Sequence, residues 1–338
     1  MTSGAHPTDA TTPVEPLPVP EVARLATDVL AAVGTAVVGM HGPLRLALAA
    51  VLAGGHVLLE DVPGLGKTLA ARSLATALGL PFTRLQCTPD LLPADVTGSF
   101  VYDPATSRFD FRPGPVFTGL LLADEINRTP PKTQAALLEA MQEGQVTVEG
   151  RTSALPRPFH VLATANPVEY EGTYPLPEAQ LDRFLVRVAV GYPTPEHEAD
   201  VLARRVARRQ EVVDVAAVVD AGTLRRMQAG VEQVDVHRDV AAYCVALAAA
   251  TRAHAAVEVG VSPRGSLALL LLLQARALAV LDGRDVVLPE DVKTAAPAVL
   301  AHRLTLGVQT WTGSVTADSV VSEVLQSVPA PATAPSGP

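Results

Sequence analysis

The chain has 338 residues, of which 48% are hydrophobic and 18% are charged, and its formal net charge at pH 7 is −9. This composition is typical of a globular protein rather than a disordered one, and the length suffices for about two domains, each with its own core. The acidic balance argues against a general affinity for nucleic acid, because non-specific binding depends on basic side chains that neutralise phosphates.

Cysteine usage and the apolar runs favour a cytoplasmic protein. Cys87 and Cys244 lie far apart without C-x-x-C spacing, which fits a reducing compartment. The first residues lack the charged segment and the apolar core of a secretory signal. The longest apolar run, 267–273, is too short to span a bilayer. We therefore expect a cytoplasmic protein without direct membrane insertion.

The first part of the chain predicts a tail followed by two helices. Residues 1–20 are rich in Pro and Thr and show little periodicity, which predicts a disordered tail. Apolar residues then recur at helical spacing over 21–33. A second helix is predicted over 43–53, where it ends at a pair of glycines.

The next segment reads as a short apolar strand, a turn rich in Gly and Pro, and a helix that begins at Lys67 and Thr68. This order is typical of a P-loop, in which backbone N–H groups at a helix N-terminus bind polyphosphate. Lys67 is expected to contact the terminal phosphates, and the Thr68 hydroxyl to ligate Mg²⁺. Asp61 stands where the pattern G-x-x-x-x-G-K-[ST] has its first Gly, but Gly64 and Gly66 can still supply positive φ and close backbone approach.

Two segments are predicted to form hairpins that project from the core. The first covers 95–117 and turns at 103–106, and the second covers 145–155 and turns at Glu149-Gly150. Between them a helix is predicted over 131–143, because Pro lies in its first turn and Gly144 follows its end.

Polar residues follow two further apolar strands at their carboxyl ends. One strand leads into Asp124 and Glu125, and the other leads into Asn166. Strands that alternate with helices predict a parallel sheet covered on both faces, with its ligand site beyond the strand carboxyl ends. Asp124 is expected to hold Mg²⁺ together with Thr68. Glu125 is expected to polarise the attacking water, and Asn166 to orient it.

After Tyr192-Pro193 the pattern becomes helical, so a domain boundary is placed there. Helices are predicted over 196–210, 221–228, 236–253, 263–281 and 289–302, with a short strand over 286–288. The predicted organisation is a disordered tail over 1–20, an α/β nucleotide-binding domain over 21–193, a helical lid domain over 194–328 and a second disordered tail over 329–338.

These motifs resemble those of the MoxR family of AAA+ ATPases. The resemblance spans about residues 21–325, and its most family-specific part is the segment Glu-Ala-Gln-Leu-Asp-Arg-Phe at 178–184. The stretches that carry it are 57–68, 122–128, 163–167, 172–184 and 261–264. The resemblance implies a P-loop AAA+ core, a parallel sheet sandwiched by helices with inserted β-hairpins, and a small all-α lid domain, with nucleotide lying between the core and the lid.

The resemblance also implies a role for each site residue. Lys67 and Thr68 are similar to Walker A residues, Asp124 and Glu125 to Walker B residues, and Asn166 to the sensor of the γ-phosphate. Arg183 resembles the arginine finger, which acts on ATP held by the neighbouring subunit. Arg264 resembles the second sensor, which reaches the nucleotide of its own subunit. The other expected nucleotide-binding residues are Val38, Gly39, Val62, Pro63, Gly64, Leu65, Gly66 and Leu69. Many relatives have Gln where this chain has Met40, on the adenine side.

At the level of function, the resemblance implies Mg²⁺-dependent ATP hydrolysis by a ring, expected to be a hexamer, that remodels or matures client proteins. A partner with a von Willebrand factor A-type domain often takes part. Two alternatives stay open. A DNA-acting AAA+ motor would need basic or aromatic hairpin tips, whereas the tips at 103–108 and 149–151 are nearly neutral. For a slow ATP-dependent switch, the presence of Glu125, Asn166 and Arg183 counts against the interpretation, and a measured rate decides it.

Overall fold

The computed structural model describes residues 14–60, 65–166, 173–209, 213–259, 266–307 and 315–332. The helices in these ranges are α1 Val19–Gly34, α2 His41–Leu52, α3 Lys67–Ala77, α4 Pro93–Thr97, α5 Pro131–Glu143, α6 Glu178–Leu181, α7 Pro195–Arg208, α8 Ala221–Val231, α9 Arg238–Ala253, α10 Ser266–Leu281, α11 Pro289–Leu300 and α12 Ala317–Ser327. Short 3₁₀ turns cover Ile126–Arg128 and Ala301–Arg303.

The strands are β1 Val57–Glu60, β2 Phe82–Gln86, β3 Gly98–Asp103, β4 Arg108–Pro113, β5 Leu120–Asp124, β6 Gln145–Val148, β7 Arg151–Ala154, β8 His160–Ala165, β9 Val186–Ala189, β10 Val257–Val259 and β11 Thr305–Leu306. Five of them form a parallel sheet in the order β2–β5–β8–β1–β9. Every residue of β5 and β8 is buried, as expected for strands covered on both faces.

The register of the sheet brings the strand ends together. Gln86 lies opposite Asp124, and Glu60 lies opposite Ala165. We call the side where the parallel strands end the carboxyl edge, and the side where they begin the amino edge. Since the strand carboxyl ends meet at one edge, the polar residues that follow β1, β5 and β8 lie close together.

The two faces of the sheet pack into two apolar clusters. Leu59 and Leu122 belong to a cluster that also contains α1, α2, α3 and the helices α8–α12, which we call the lid. Leu58 and Leu121 belong to the second cluster, which contains α5 and the base of the hairpins. Because one apolar cluster includes both the sheet face and the lid, the lid packs directly on the α/β part of the chain.

The two predicted hairpins are present. Strands β3 and β4 pair antiparallel, as do β6 and β7. The guanidinium of Arg151 stacks over the ring of Phe100, with its carbon 5.0 Å from the ring centroid, so the hairpins contact each other. Tyr102 and Phe109 form a second ring pair, 5.3 Å between centroids, and both rings are more than half exposed.

The structure differs from the sequence prediction in several local details. The lid contains helix α12 and the antiparallel pair β10–β11, neither of which was predicted. The strand predicted over 286–288 is only an isolated bridge between Asp235 and Val286. This bridge pairs one residue of each segment, which is too few to form a strand.

Part of each predicted tail is ordered. Leu17 is buried and its backbone N–H donates to Arg226 O at 3.1 Å, and α1 begins at Val19, so ordered chain starts inside the predicted tail 1–20. At the other end Ala330 packs against the apolar core, inside the predicted tail 329–338. The apolar side chains in these tails explain the difference, because they bury against the lid. The domain boundary after 193 stays a prediction.

Among the described residues, no helix combines the length and the apolar character that crossing a membrane requires.

Candidate active site

Helix α3 begins at the carboxyl edge shortly after β1. Gly66 precedes it with φ +79°, in the left-handed region that favours glycine, and as the N-cap residue it has no side chain with which to cap the first turn. Lys67 is the first residue of α3 and is buried. The start of the helix therefore presents backbone N–H groups, the positive end of the helix dipole and a lysine at the same place, an arrangement suited to phosphate.

The carboxylate of Asp124 lies beside this helix start. The Thr68 hydroxyl lies 3.4 Å from Asp124 Oδ2, and the Thr164 hydroxyl donates to Asp124 Oδ1 at 2.7 Å. Arg84 of β2 also donates to Oδ2, from Nε at 3.0 Å and from Nη2 at 2.7 Å. Both oxygens of this largely buried carboxylate are thus held in place, and Oδ2 faces both Thr68 and a cation.

Glu125 occupies a sharp turn at the end of β5. Its φ of +60° is unusual for a residue with a side chain, and such strained positions cluster at functional sites. The backbone N–H of Glu125 donates to Thr164 Oγ1 at 2.8 Å. Its Oε2 accepts from Gln86 Nε2 at 3.0 Å and lies 3.2 Å from Arg128 Nε. The turn thereby directs the Glu125 carboxylate toward the tip of β2.

Asn166 follows β8 at the same edge and is buried. Its carbonyl oxygen accepts from Asn127 Nδ2 at 3.1 Å, so the loop after β8 is tied to the turn after β5. The carbonyl of Asn127 in turn accepts from the backbone N–H of Tyr174. Through the Asn127 side chain, Asn166 is thus tied to the turn that carries Glu125.

The predicted adenine-side turn lies between α1 and α2. Gly39 has φ +78°, and a Cβ there would meet the His197 ring nitrogen Nδ1 at 3.0 Å, so the start of α7 lies against this turn. Val38 is half-buried and Met40 is buried. A larger side chain at position 39 would therefore press on α7.

Arg183 lies at the opposite edge of the sheet. The backbone N–H of Leu185, two residues further on, donates to His56 O at 2.9 Å, immediately before β1 begins. Arg183 Nη1 donates to Leu138 O on α5 at 2.9 Å and also contacts Gln142 Oε1. Arg183 is therefore at the amino edge and is not part of the cluster around Asp124.

Comparisons with known proteins identify the family. Residues 56–186 match the family described as "ATPase family associated with various cellular activities (AAA)", and residues 249–324 match the AAA lid domain. The chain is 49% identical over 294 residues to the uncharacterised protein YeaC of Bacillus subtilis, which covers 87% of this chain and 91% of YeaC. It is 42% identical over 304 residues to Chaperone MoxR1 of Mycobacterium tuberculosis, which covers 87% of this chain and 79% of that protein.

The chain belongs to the MoxR family of AAA+ ATPases. The family predicted from the sequence is thereby confirmed. The crystal structure of a proposed ATPase from Cytophaga hutchinsonii is 38% identical and superposes with a TM-score of 0.85, covering 93% of this chain and 97% of that one. This likeness confirms the predicted AAA+ fold with a helical lid.

The residues that this MoxR-family chain places at the carboxyl edge fit a nucleotide with Mg²⁺. A hydroxyl and a carboxylate oxygen 3.4 Å apart, from Thr68 and Asp124, are the hard oxygen ligands that Mg²⁺ prefers. The first turn of α3, which follows Gly66 and lies next to them, suits the phosphates that accompany the ion. Leu65 and Leu69 flank this turn, and Leu69 is partly exposed.

Four predicted residues lie outside the described residues: Val62, Pro63, Gly64 and Arg264. Their roles stay predictions. Within the described ranges, lid side chains contact α2, β8, β9 and residues 182–185, and none of these contacts involves Asp124 or Glu125. The expectation that nucleotide lies between core and lid stays a prediction.

Three residues of the site were not found from the sequence: Arg84, Gln86 and Thr164. Arg84 and Gln86 occupy alternate positions of β2 and so share one side of the strand, where Gln86 lies opposite Asp124. This alternation was visible in the sequence, but the pairing of β2 with β5 was not. In the sequence, Thr164 has no feature that separates it from other small residues of a buried strand. Only the structure shows that its hydroxyl hydrogen-bonds both the Asp124 carboxylate and the Glu125 backbone N–H.

Proposed function

We propose that this protein hydrolyses ATP with Mg²⁺ at the carboxyl edge and uses the energy to remodel or mature client proteins. One observation carries the proposal: the Thr68 hydroxyl and the Asp124 carboxylate meet at the first turn of α3, with Glu125 as the next residue. Each group has a defined task in phosphoryl transfer to water.

Lys67 and the first turn of α3 bind and orient the phosphates. Thr68 and Asp124 hold Mg²⁺, which, when bound, offsets charge on the phosphate oxygens. Glu125 accepts a hydrogen bond from the attacking water and takes up its proton. To do so, its carboxylate exchanges the contact with Gln86 or Arg128 for the water. The amide of Asn166 orients the same water.

We place Arg183 in the active site of the neighbouring subunit, where its guanidinium stabilises the transferring phosphoryl group. Its position at the amino edge supports this role, because a chain whose own phosphate site is at the carboxyl edge can use Arg183 only on another copy. A closed ring, most simply a hexamer, gives every subunit one such neighbour.

Client handling is supported by the name of the relative Chaperone MoxR1 and by the exposed rings of Tyr102 and Phe109 on the first hairpin. Apolar rings at a projecting tip suit an unfolded or loosely folded polypeptide. The net charge of −9 disfavours nucleic acid as the client. The family resemblance extends the proposal to a partner with a von Willebrand factor A-type domain.

The test is the ATPase rate as a function of protein concentration, with particle mass from light scattering in ATP and Mg²⁺. We expect the rate per chain to rise as a ring forms. Glu125→Gln should abolish hydrolysis while ATP binding is retained. Arg183→Ala should lower kcat by ~10²-fold or more, because an arginine finger contributes this much to phosphoryl transfer.

Arg238→Ala is the matched control, since the Arg238 side chain is 91% exposed at the start of α9. This variant should hydrolyse ATP at the wild-type rate. If Arg183→Ala keeps the wild-type rate, or a monomer is fully active, the ring mechanism is wrong and a switch becomes the better description. Mixing Glu125→Gln and Arg183→Ala chains adds a direct check. Each lacks a different half of a shared site, so mixed rings should regain part of the activity.

A further inference from the structure

The amino-edge segment that carries Arg183 is held from two sides. On one side α5 accepts both hydrogen bonds of Arg183 Nη1, at Leu138 O and Gln142 Oε1. This contact borders an open cleft of about 420 Å³, whose lining includes Glu139 and Glu143. The arginine is thus half-buried against α5 and faces a cleft with acidic walls.

On the other side the lid holds the residues next to Arg183. Arg303, in the 3₁₀ turn after α11, has a side chain only 2% exposed. Its Nε donates to Asp182 Oδ1 at 2.7 Å, and its Nη2 donates to the backbone carbonyls of Asp182 at 3.1 Å and Phe184 at 2.7 Å. Its Nη1 donates to Leu185 O at 3.3 Å. One lid guanidinium therefore contacts the residues immediately before and after Arg183.

Two further contacts make this connection stiff. Arg303 Nη1 also donates to Val299 O of α11, so the guanidinium is fixed to its own helix. His302 Nε2 lies 3.1 Å from Phe184 O, the carbonyl that Arg303 also contacts. The ring of Phe184 is fully buried in the sheet core. A shift of α11 would therefore move the backbone on both sides of Arg183.

The carboxylate of Asp182 balances the charge of the buried Arg303 guanidinium, so substitution of Asp182 should disturb this contact most directly. Burial lowers the pKa of Arg303, and the ion pair with Asp182 opposes that effect. Removing the carboxylate leaves a buried cation with only backbone carbonyls as partners, a costly arrangement that loosens the segment. The Asp182 side chain is itself 44% exposed, so a substitution there creates no cavity in the core.

We propose that Asp182 and Arg303 are positioning residues for Arg183, and that their ion pair couples the lid of one subunit to the ATP site of the next. The proposal depends on the proposed role of Arg183 in the neighbouring site. Lid position then sets whether Arg183 extends toward the neighbour or stays against α5. A small displacement matters, because a misplacement of ~1 Å can cost ~10²-fold in rate.

The test is a double-mutant cycle on the full-length protein under ring-forming conditions. Asp182→Ala should lower kcat by ~10-fold, with ATP affinity and particle mass unchanged. In a chain that already carries Arg183→Ala, the same substitution should change kcat less than twofold, because a positioning residue has no effect once its target is gone. Asp182→Asn keeps an oxygen that can accept from Arg303 and should recover most of the rate.

Asp318→Ala is the matched control. Asp318 forms another ion pair between lid and core, 3.3 Å from Arg187 Nη2, but it does not contact the Arg183 segment. It should keep the wild-type kcat. Arg303→Lys keeps the positive charge but replaces the planar guanidinium, with its several N–H donors, by a single ammonium group. Once thermal unfolding shows that this variant folds, its kcat should be lowered as in Asp182→Ala.

The outcomes separate the two proposals. If Arg183→Ala has no effect on kcat, the trans-acting role of Arg183 is wrong. If Arg183→Ala impairs hydrolysis but Asp182→Ala does not, the coupling is wrong while the arginine finger stands. If both impair it and the losses multiply in the double variant, Asp182 acts on stability or assembly and not through Arg183, which also overturns the coupling.

Discussion

At the residue scale, the most informative contact is the one between Arg84 and Asp124. Arg84 places two donors on Oδ2, the same oxygen that faces Thr68. Arg84 therefore occupies, with a fixed cation, the carboxylate oxygen that we assign to Mg²⁺. Binding of the metal at Oδ2 should loosen these two hydrogen bonds from Arg84, since the two cations repel each other at short range.

This competition predicts that Arg84→Ala lowers the Mg²⁺ concentration needed for nucleotide binding. We expect a several-fold decrease in the half-saturating Mg²⁺ concentration, measured as thermal stabilisation by ADP across an Mg²⁺ titration. Without Mg²⁺ the variant should be less stable than the wild type, because Asp124 loses its cation. Arg72→Ala is the control: Arg72 of α3 stacks over Phe82, at the start of the strand that carries Arg84, and its substitution should leave the titration unchanged.

An unchanged or higher Mg²⁺ requirement in Arg84→Ala would contradict this competition. It would instead indicate that Arg84 orients Asp124 for the metal, with the 2.7 Å contact retained in the bound state.

At the scale of elements, the sequence was most informative where structure depends on neighbouring residues. The P-loop shows this, because its apolar strand, its glycines and the Lys67-Thr68 pair follow one another in the sequence. Strand, loop and helix could therefore be predicted together. Other contacts join segments that are distant in sequence. Examples are the pairing of β2 with β5 and the hydrogen bonds of Arg303 to residues 182–185. No local pattern marks such contacts, which is why Arg84, Gln86 and Arg303 were not found from the sequence.

The first hairpin illustrates the same limit. The turn at 103–106 was predicted, and the tip was judged nearly neutral from its charges. The structure adds that two aromatic pairs along the hairpin differ in environment. Phe111 packs against both Phe100 and Phe117, near the base, whereas Tyr102 and Phe109 contact each other in solvent. Exposed aromatics adjoin the tip, a feature that charge alone did not reveal.

The two pairs should therefore respond differently to substitution. Replacing Tyr102 and Phe109 by Ser should leave the melting temperature within ~2 °C and should leave basal ATPase intact, because little buried area is lost. It should weaken capture of an unfolded model polypeptide by the Glu125→Gln chain. Phe111→Ala should instead lower stability by ~2–4 kcal/mol, because it removes a ring that packs on Phe117.

For this hairpin prediction the polypeptide assay is decisive. Undiminished capture by the Tyr102→Ser/Phe109→Ser chain would remove the hairpin from client handling. A large stability loss in the same chain would mean that the exposed pair has a structural role.

At the scale of the whole molecule, the amino edge is where the lid, the sheet and α5 meet, and buried histidines connect them. His56 Nδ1 accepts from the Val161 N–H at 3.0 Å, and its Nε2 lies 3.2 Å from Met141 O of α5. His160 Nδ1 lies 2.9 Å from Gly55 O, and its Nε2 faces the Gln228 amide of α8 at 3.0 Å. Each ring donates from one nitrogen and accepts at the other, so each must be neutral.

This requirement predicts acid sensitivity. Burial lowers the pKa of both His56 and His160 to about 4 in the folded chain, whereas an exposed histidine in the unfolded chain titrates near 6.5. Below pH 6.5 the two histidines become protonated in the unfolded chain while they stay neutral in the folded chain. The stability that these rings contribute is therefore fully present above pH 6.5 and is lost as the pH falls from 6.5 toward 4.

We expect the free energy of unfolding to fall by about 2 kcal/mol per histidine between pH 7 and pH 5. His160→Gln should make that fall smaller by the same amount, since glutamine offers a donor and an acceptor but does not titrate. His41→Gln, an exposed position at the start of α2, should leave the pH dependence unchanged. Denaturant unfolding at each pH measures the difference. An equal slope in His160→Gln and wild type would place the acid sensitivity in other groups.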